Sequence, residues 1–151
     1  MAGTTGDDRP TRLRGERGHR AVPHTADVRI EAWGTSREQC LAEVVLGMVE
    51  SFADLSRAEA HSVRQLRVTG RGDEDLLATL LDEVVFRLEV HGEVPVHLRV
   101  EAVGEVLDVR AAVTDLGRVP ITGAPPKGVS FNELRLAPDP YGWSCAVTVD
   151  V

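Results

Sequence analysis

The sequence predicts an α+β fold: two strand–helix modules followed by two C-terminal hairpins, with two helices packed on a mainly antiparallel sheet sandwich. Three observations carry this. Apolar residues alternate over 27–33, the period of a half-buried strand, and then recur at helical spacing over 40–52. The helical pattern returns 36 residues later, with Leu76, Leu77, Leu80, Leu81, Val84, Val85 and Leu88 repeating Cys40, Leu41, Val44, Val45, Met48, Val49 and Phe52. Beyond residue 92 the pattern is strand-like only.

Each element has its own signal. In DVRIEAW, Val28, Ile30 and Ala32 point one way and Asp27, Arg29 and Glu31 the other. Gly34 and Thr35 turn the chain. Ser36-Arg37-Glu38-Gln39 then has the form of a capping box, in which a hydroxyl and an amide each satisfy an orphan N–H at the start of a helix. Leu66 and Val68 continue a second strand, GRGDED makes a turn, and the second helix follows with acidic residues in its first turn. VPVHLRVEAV and VLDVRAAV flank Gly104-Glu105 as one hairpin; GVSFNELRL and WSCAVTVDV flank APDPYG as another. Between the hairpins, DLGRVPITGAPPKG is expected to be the most mobile loop. The two helices are expected side by side on one sheet.

Composition narrows the function classes. A chain of 151 residues with 42% apolar and 27% charged residues reads as one globular domain that buries roughly 70% of its unfolded surface. It contains no apolar run long enough to cross a membrane, and MAGTTGDDRP lacks the apolar core of a secretory signal, so a cytoplasmic protein is expected. Cys40 and Cys145 lie within apolar patterns and read as reduced core residues. The net charge of −7 is unevenly placed: residues 1–20, with five arginines, carry +2, leaving −9 on 21–151. Residues 1–20 are therefore expected to be a disordered basic leader and 21–151 the single domain. So acidic a domain is not expected to bind nucleic acid strongly.

Few residues invite chemistry. There is no HExxH, GxSxG, P-loop or CxxC, and Ser130, His91 and Asp115 lack any local sequence support as a hydrolytic triad. The acidic ends of the pattern are different. HTADV, residues 24–28, opens the first strand on polar residues, and the last strand ends at Asp150-Val151. Asp27, Asp150 and the α-carboxylate of Val151, if brought together, would form an all-oxygen cluster calling for a hard cation, Ca²⁺ or Mg²⁺. Alternatively, Asp27 is a cap or turn residue and Asp150 a solvated strand end.

Several stretches together resemble the archease family: HTADVRIEAWGTSREQCLAEVVLGM, the leucine-rich DLLATLLDEVVFRLE, VGEVLDV, PKGVSFNEL, and GWSCAVTVDV with its terminal Asp plus aliphatic residue. The resemblance spans about residues 22–151. It implies a protein cofactor and not an enzyme: an activator of an RtcB-type RNA ligase that promotes ligase guanylylation and multiple turnover in tRNA splicing and RNA repair. It also implies a metal held by Asp27, Asp150 and Val151; His24 and Asn132 are candidates for the supporting shell around it, and Mn²⁺ by way of the ligase is an alternative to Ca²⁺ or Mg²⁺. Where the family has Thr-Tyr-His, this chain has Ser130, Phe131 and Asn132, so the family histidine's role has no titrating counterpart here. Competing expectations are a metal-binding adaptor or a chaperone-like module serving another enzyme. Oligomerisation is left open.

Overall fold

The computed structural model describes residues 7–23 and 26–151. Its elements run α1 (Arg9–Leu13), β1 (Gly18–Pro23), β2 (Asp27–Gly34), α2 (Arg37–Glu50), β3 (Ser62–Val68), α3 (Asp73–His91), β4 (Glu93–Val103), β5 (Val106–Asp115), β6 (Gly128–Asp139) and β7 (Gly142–Asp150). Two sheets result, one with the strand order β1-β2-β7-β6 and one with β3-β5-β4, and every pairing is antiparallel. The α+β sandwich of strand–helix modules and two terminal hairpins is therefore the observed architecture.

The helices do not lie on one sheet as expected. α2 packs against β1, β2 and β7 of the four-stranded sheet and also against β4 of the other; α3 packs against β6 of the first and against β3 and β4 of the second. One core cluster accordingly joins both sheets through both helices, and all fourteen repeated apolar positions are buried. α2 is covered nearly all round, with Cys40 through Val45 consecutively buried, whereas α3 keeps an exposed stripe that includes Phe86 and Val90. A helix held between two sheets must be apolar on more than one face, which a single-face pattern does not anticipate.

Local chemistry sets the helix ends. The Ser36 hydroxyl accepts from the Gln39 N–H at 3.1 Å, while the Gln39 side-chain oxygen accepts from the N–H of Thr35, one residue earlier than a strict capping box would have it. α3 begins with Asp73, Glu74 and Asp75 in its positive first turn and ends at Gly92 in the left-handed region (φ 63°), a conformation open to glycine without strain.

Two further expectations fail. The segment taken for a disordered leader is ordered from Asp7 onward, and its boundary at residue 20 falls inside β1, which pairs with β2 over Gly18–Pro23. The arginines that made it look solvated are matched individually. Arg12 bonds Asp139 at 2.7 Å, Arg17 bonds Glu43 at 2.8 Å, and Arg20 bonds Asp8 at 2.6 Å while lying over the Trp33 ring. Residues 1–6 lie outside the described residues. The 114–128 connection is likewise pinned. Thr122 N–H donates to the Phe52 carbonyl at 2.8 Å, Asp54 N–H to that of Pro120 at 2.9 Å, and Val119 is buried. Its prolines and glycines shape a fixed path around the end of α2. No described helix is long and apolar enough to cross a membrane.

Candidate functional site

The two inner strands of the four-stranded sheet, β2 and β7, bring the predicted acidic residues together. They pair from Gly34–Trp143 at one end to Asp27–Asp150 at the other, so Asp27 and Asp150 stand directly opposite each other. Ile30, Ala32, Cys145, Val147 and Val149 of these strands fill the core, which by alternation turns Asp27 and Asp150 to the outer face. Val151 shares the inward parity of Val149 and packs against the core. Its N–H donates to the Ala26 carbonyl at 3.4 Å. That bond makes 26–151 a hydrogen-bonded pair, so 27–150 is of the non-hydrogen-bonded kind, whose side chains stand closer.

Two like charges directly opposite on one face of a sheet repel. Neither carboxylate has a hydrogen bond or ion pair to a side chain among the described residues. Arg29, two residues on from Asp27 along β2, has its guanidinium turned to Glu31 at 3.3 Å and Glu133 at 3.7 Å. On the far side of β7, Gly128 stands opposite Asp150, and the Lys127 N–H donates to the Asp150 backbone carbonyl at 2.7 Å. This contact anchors the main chain and leaves the Asp150 carboxylate exposed.

Of the residues singled out from sequence, the structure brings together Asp27, Asp150 and Val151. His24 lies outside the described residues. Asn132 sits in the irregular stretch of β6 between Ser130 and Arg135, where the ladder to β7 shifts register, and its N–H bonds the Ser130 hydroxyl at 3.3 Å. In the same stretch Glu133 takes a positive φ of 62° and the Phe131 ring is exposed. The paper triad is not assembled: the ends of α3 and β5 bring His91 and Asp115 near each other, but Asp115 pairs with Arg118, His91 stacks edge-on against Phe86, and Ser130 is on β6 of the other sheet. Sequence reasoning missed the roles of Lys127, Gly128 and Arg29, since main-chain anchoring and a diverted guanidinium leave no mark in a one-dimensional pattern.

The donor set suits a hard cation in kind: oxygen atoms, net negative, and without an internal counter-ion among the described residues. It is short in number. No three His, Cys, Asp or Glu side chains gather into a metal-binding group among the described residues. Beyond the two carboxylates, ligands would have to come from main-chain oxygens such as those of Val151, from water, or from a partner.

This α+β sandwich has known counterparts. The model described as Archease protein family (MTH1598/TM1083) matches residues 19–151, and the chain belongs to that family. It is 51% identical over 134 residues to the Mycobacterium tuberculosis protein named Probable protein archease, a match covering 89% of this chain and 75% of that one. It is 27% identical over 137 residues to the protein archease of Methanosarcina barkeri, covering 86% and 93% of the two chains. Among solved structures, Protein 1598 of Methanobacterium thermoautotrophicum superposes with a TM-score of 0.72 at 20% identity, covering 89% of this chain and 99% of that one. An archease and possible chaperone from Thermotoga maritima gives 0.58 at 18% identity, covering 86% and 94%.

Proposed function

We propose that this chain is a protein cofactor of an RtcB-type RNA ligase, promoting ligase guanylylation and multiple turnover in tRNA splicing or RNA repair, with the Asp27–Asp150 end as the acting surface. The observation that carries this reading is the register of β2 against β7, which sets two carboxylates side by side at a sheet end in an archease fold. A Ca²⁺, Mg²⁺ or Mn²⁺ bound there by Asp27, Asp150 and the main-chain oxygens of Val151 would supply positive charge for phosphate oxygens.

The chain's own residues have defined tasks in this reading. Asp27 and Asp150 present the negative charge. The inward side chains of Val28, Val149 and Val151 seat the strand ends on the core, so the carboxylates stand on inner strands that are held on both sides. Arg29, held by Glu31 and Glu133, does not neutralise them. Such an acidic, rigid tip is suited to selecting one conformation of a partner by differential binding. Ser130 and Asn132, farther along β6 from Gly128, offer hydrogen bonds but no group that titrates near neutral pH.

The test is guanylylation of the cognate ligase with GTP and Mn²⁺, with and without this protein. Stimulation is expected, falling at least tenfold with Asp27→Ala or Asp150→Ala while both variants stay folded. Calorimetric titration of the wild-type chain with Ca²⁺ and Mg²⁺ should show binding that both variants lose. Full stimulation by either variant overturns the site. A second reading, a chaperone-like module, draws on the description of the Thermotoga maritima relative. It predicts suppression of aggregation in unrelated clients, with no dependence on Asp27.

A further inference from the structure

Cys40 and Cys145 are distant in sequence and meet in the core. Cys40 lies in the first turn of α2, Cys145 lies on β7 opposite Ala32 of β2, and their sulfurs are 3.2 Å apart. Both side chains are buried, at 0% and 1% exposure. The Cys40 thiol donates toward Cys145 and also lies 3.5 Å from the Ala32 carbonyl. The approach is enforced by the backbone. A Cβ on Gly34 would lie 2.7 Å from that of Gln39 and 3.0 Å from the Cys40 nitrogen, so glycine there lets the start of α2 press onto the sheet. A pair held so close needs to shorten its separation by only about 1.2 Å to reach a bonded S–S distance of about 2.05 Å.

We propose that Cys40 and Cys145 form a latent disulfide, a two-electron modification site that ties α2 covalently to the strand whose end carries Asp150. The oxidant is hydrogen peroxide. One sulfur attacks a peroxide oxygen, the O–O bond breaks, and a sulfenic acid forms with release of water. The second sulfur then attacks the first, the S–S bond forms, and the hydroxyl leaves as a second water with the remaining thiol proton. The net change is two thiols and one peroxide to one disulfide and two waters. The bond joins residues 105 apart, so it constrains the unfolded chain strongly.

The environment sets the kinetics. The hydrogen bond shared with Cys40 and burial together raise the pKa of Cys145 well above the ordinary thiol value, keeping its proton on the sulfur. The thiolate is the reactive form, so oxidation is slow and selective for strong or sustained oxidant. Both cysteines are free in the structure.

The experiment treats the full chain with hydrogen peroxide, then maps it by non-reducing proteolysis and mass spectrometry. The expected result is a monomer lighter by two hydrogen masses, a single cross-linked peptide pair containing Cys40 and Cys145, and a raised Tm that dithiothreitol returns to its starting value. Cys145→Ala should abolish the cross-link; if that variant fails to fold, the peptide map of the wild-type chain decides alone. No cross-link after prolonged treatment, intermolecular dimers only, or conversion of either cysteine to sulfinic acid without a disulfide overturns the proposal.

Discussion

The two ends of the β2–β7 strand pair are built on opposite terms. At the Gly34–Trp143 end everything is closed. Gly142 lies so near that a Cβ there would collide with the Gly34 carbonyl oxygen, and Arg12 reaches across to bond Asp139 and the Trp143 carbonyl while covering the Tyr141 ring. At the Asp27–Asp150 end, two like charges face each other and nothing among the described residues neutralises them. The difference shows how one sheet can be closed by packing and matched charge at one end and left with unmatched charge at the other. Packing and matched charge at one end hold the register, and that register obliges the other end to keep a repulsive pair in place.

The comparison is broken most forcefully at the closed end. Gly142 has φ of 133° and no room for a methyl group, so Gly142→Ala should cost about 3 kcal/mol in urea unfolding. A neutral outcome would show that this end is not what holds the register. Next in size, Arg12→Ala should cost about 2 kcal/mol, because it strips a charge-assisted bond from half-buried Asp139. Burial tends to raise the pKa of Asp139, but the bonds from Arg12 and the Tyr141 N–H outweigh it and leave the carboxyl below its ordinary value. The contribution of this carboxylate is therefore present at neutral pH and lost as pH falls through that lowered value; Arg12→Ala should remove that acid-side loss.

A smaller effect lies on the flank of the closed region, where β1 is fastened to α2. His19 bonds Glu43 through Nδ1 and Glu50 through Nε2, both at 2.8 Å, so it donates to both only as the imidazolium. The Glu43 bond raises its pKa, burial opposes this, and Glu50 adds to the rise. Because the folded-state value is raised above the unfolded value of about 6.5, the stabilisation is complete below that value and is lost as pH rises through the folded one. Wild-type stability should fall by about 1 kcal/mol across that interval, while His19→Gln should be nearly flat. Equal pH profiles would remove the imidazolium clasp.

The smallest stability effect belongs to the open end. Asp27→Ala and Asp150→Ala should each change unfolding free energy by no more than about 0.5 kcal/mol, and in the stabilising direction at low ionic strength, because removing one of two facing like charges relieves repulsion. A loss larger than that of Arg12→Ala would mean the acidic pair is a structural element, and the contrast between the two ends would disappear.

Much of this was legible in the sequence because it depends on near neighbours. Alternation over Val28, Ile30 and Ala32, the Ser36–Gln39 cap, the acidic first turn of α3, Gly92 after it, and both hairpins are set by spacing of a few residues. The acidic pair could also be suspected, since polar residues opening one strand and closing another are visible in one dimension. What could not be read was which arginine meets which acid. Residues 7–20 looked like a solvated basic leader because composition averages over partners. Arg12 and Asp139 are 127 residues apart, and only the folded chain makes them neighbours.

By itself, then, the sequence determined the elements from β2 onward, their order, the apolar faces and the family, since each rests on local periodicity or on motifs in series; α1 and β1 escaped it. The tertiary structure alone decided that α2 is enclosed between two sheets while α3, with the same apolar repeat, keeps one side open. It also decided that Asp27 faces Asp150, that Arg29 is turned away from them, and that Cys40 touches Cys145. The physical reason is common to all four. Strand register and helix packing are set by the joint minimum of many weak contacts between distant segments, and a one-residue slip would send every one of these side chains elsewhere.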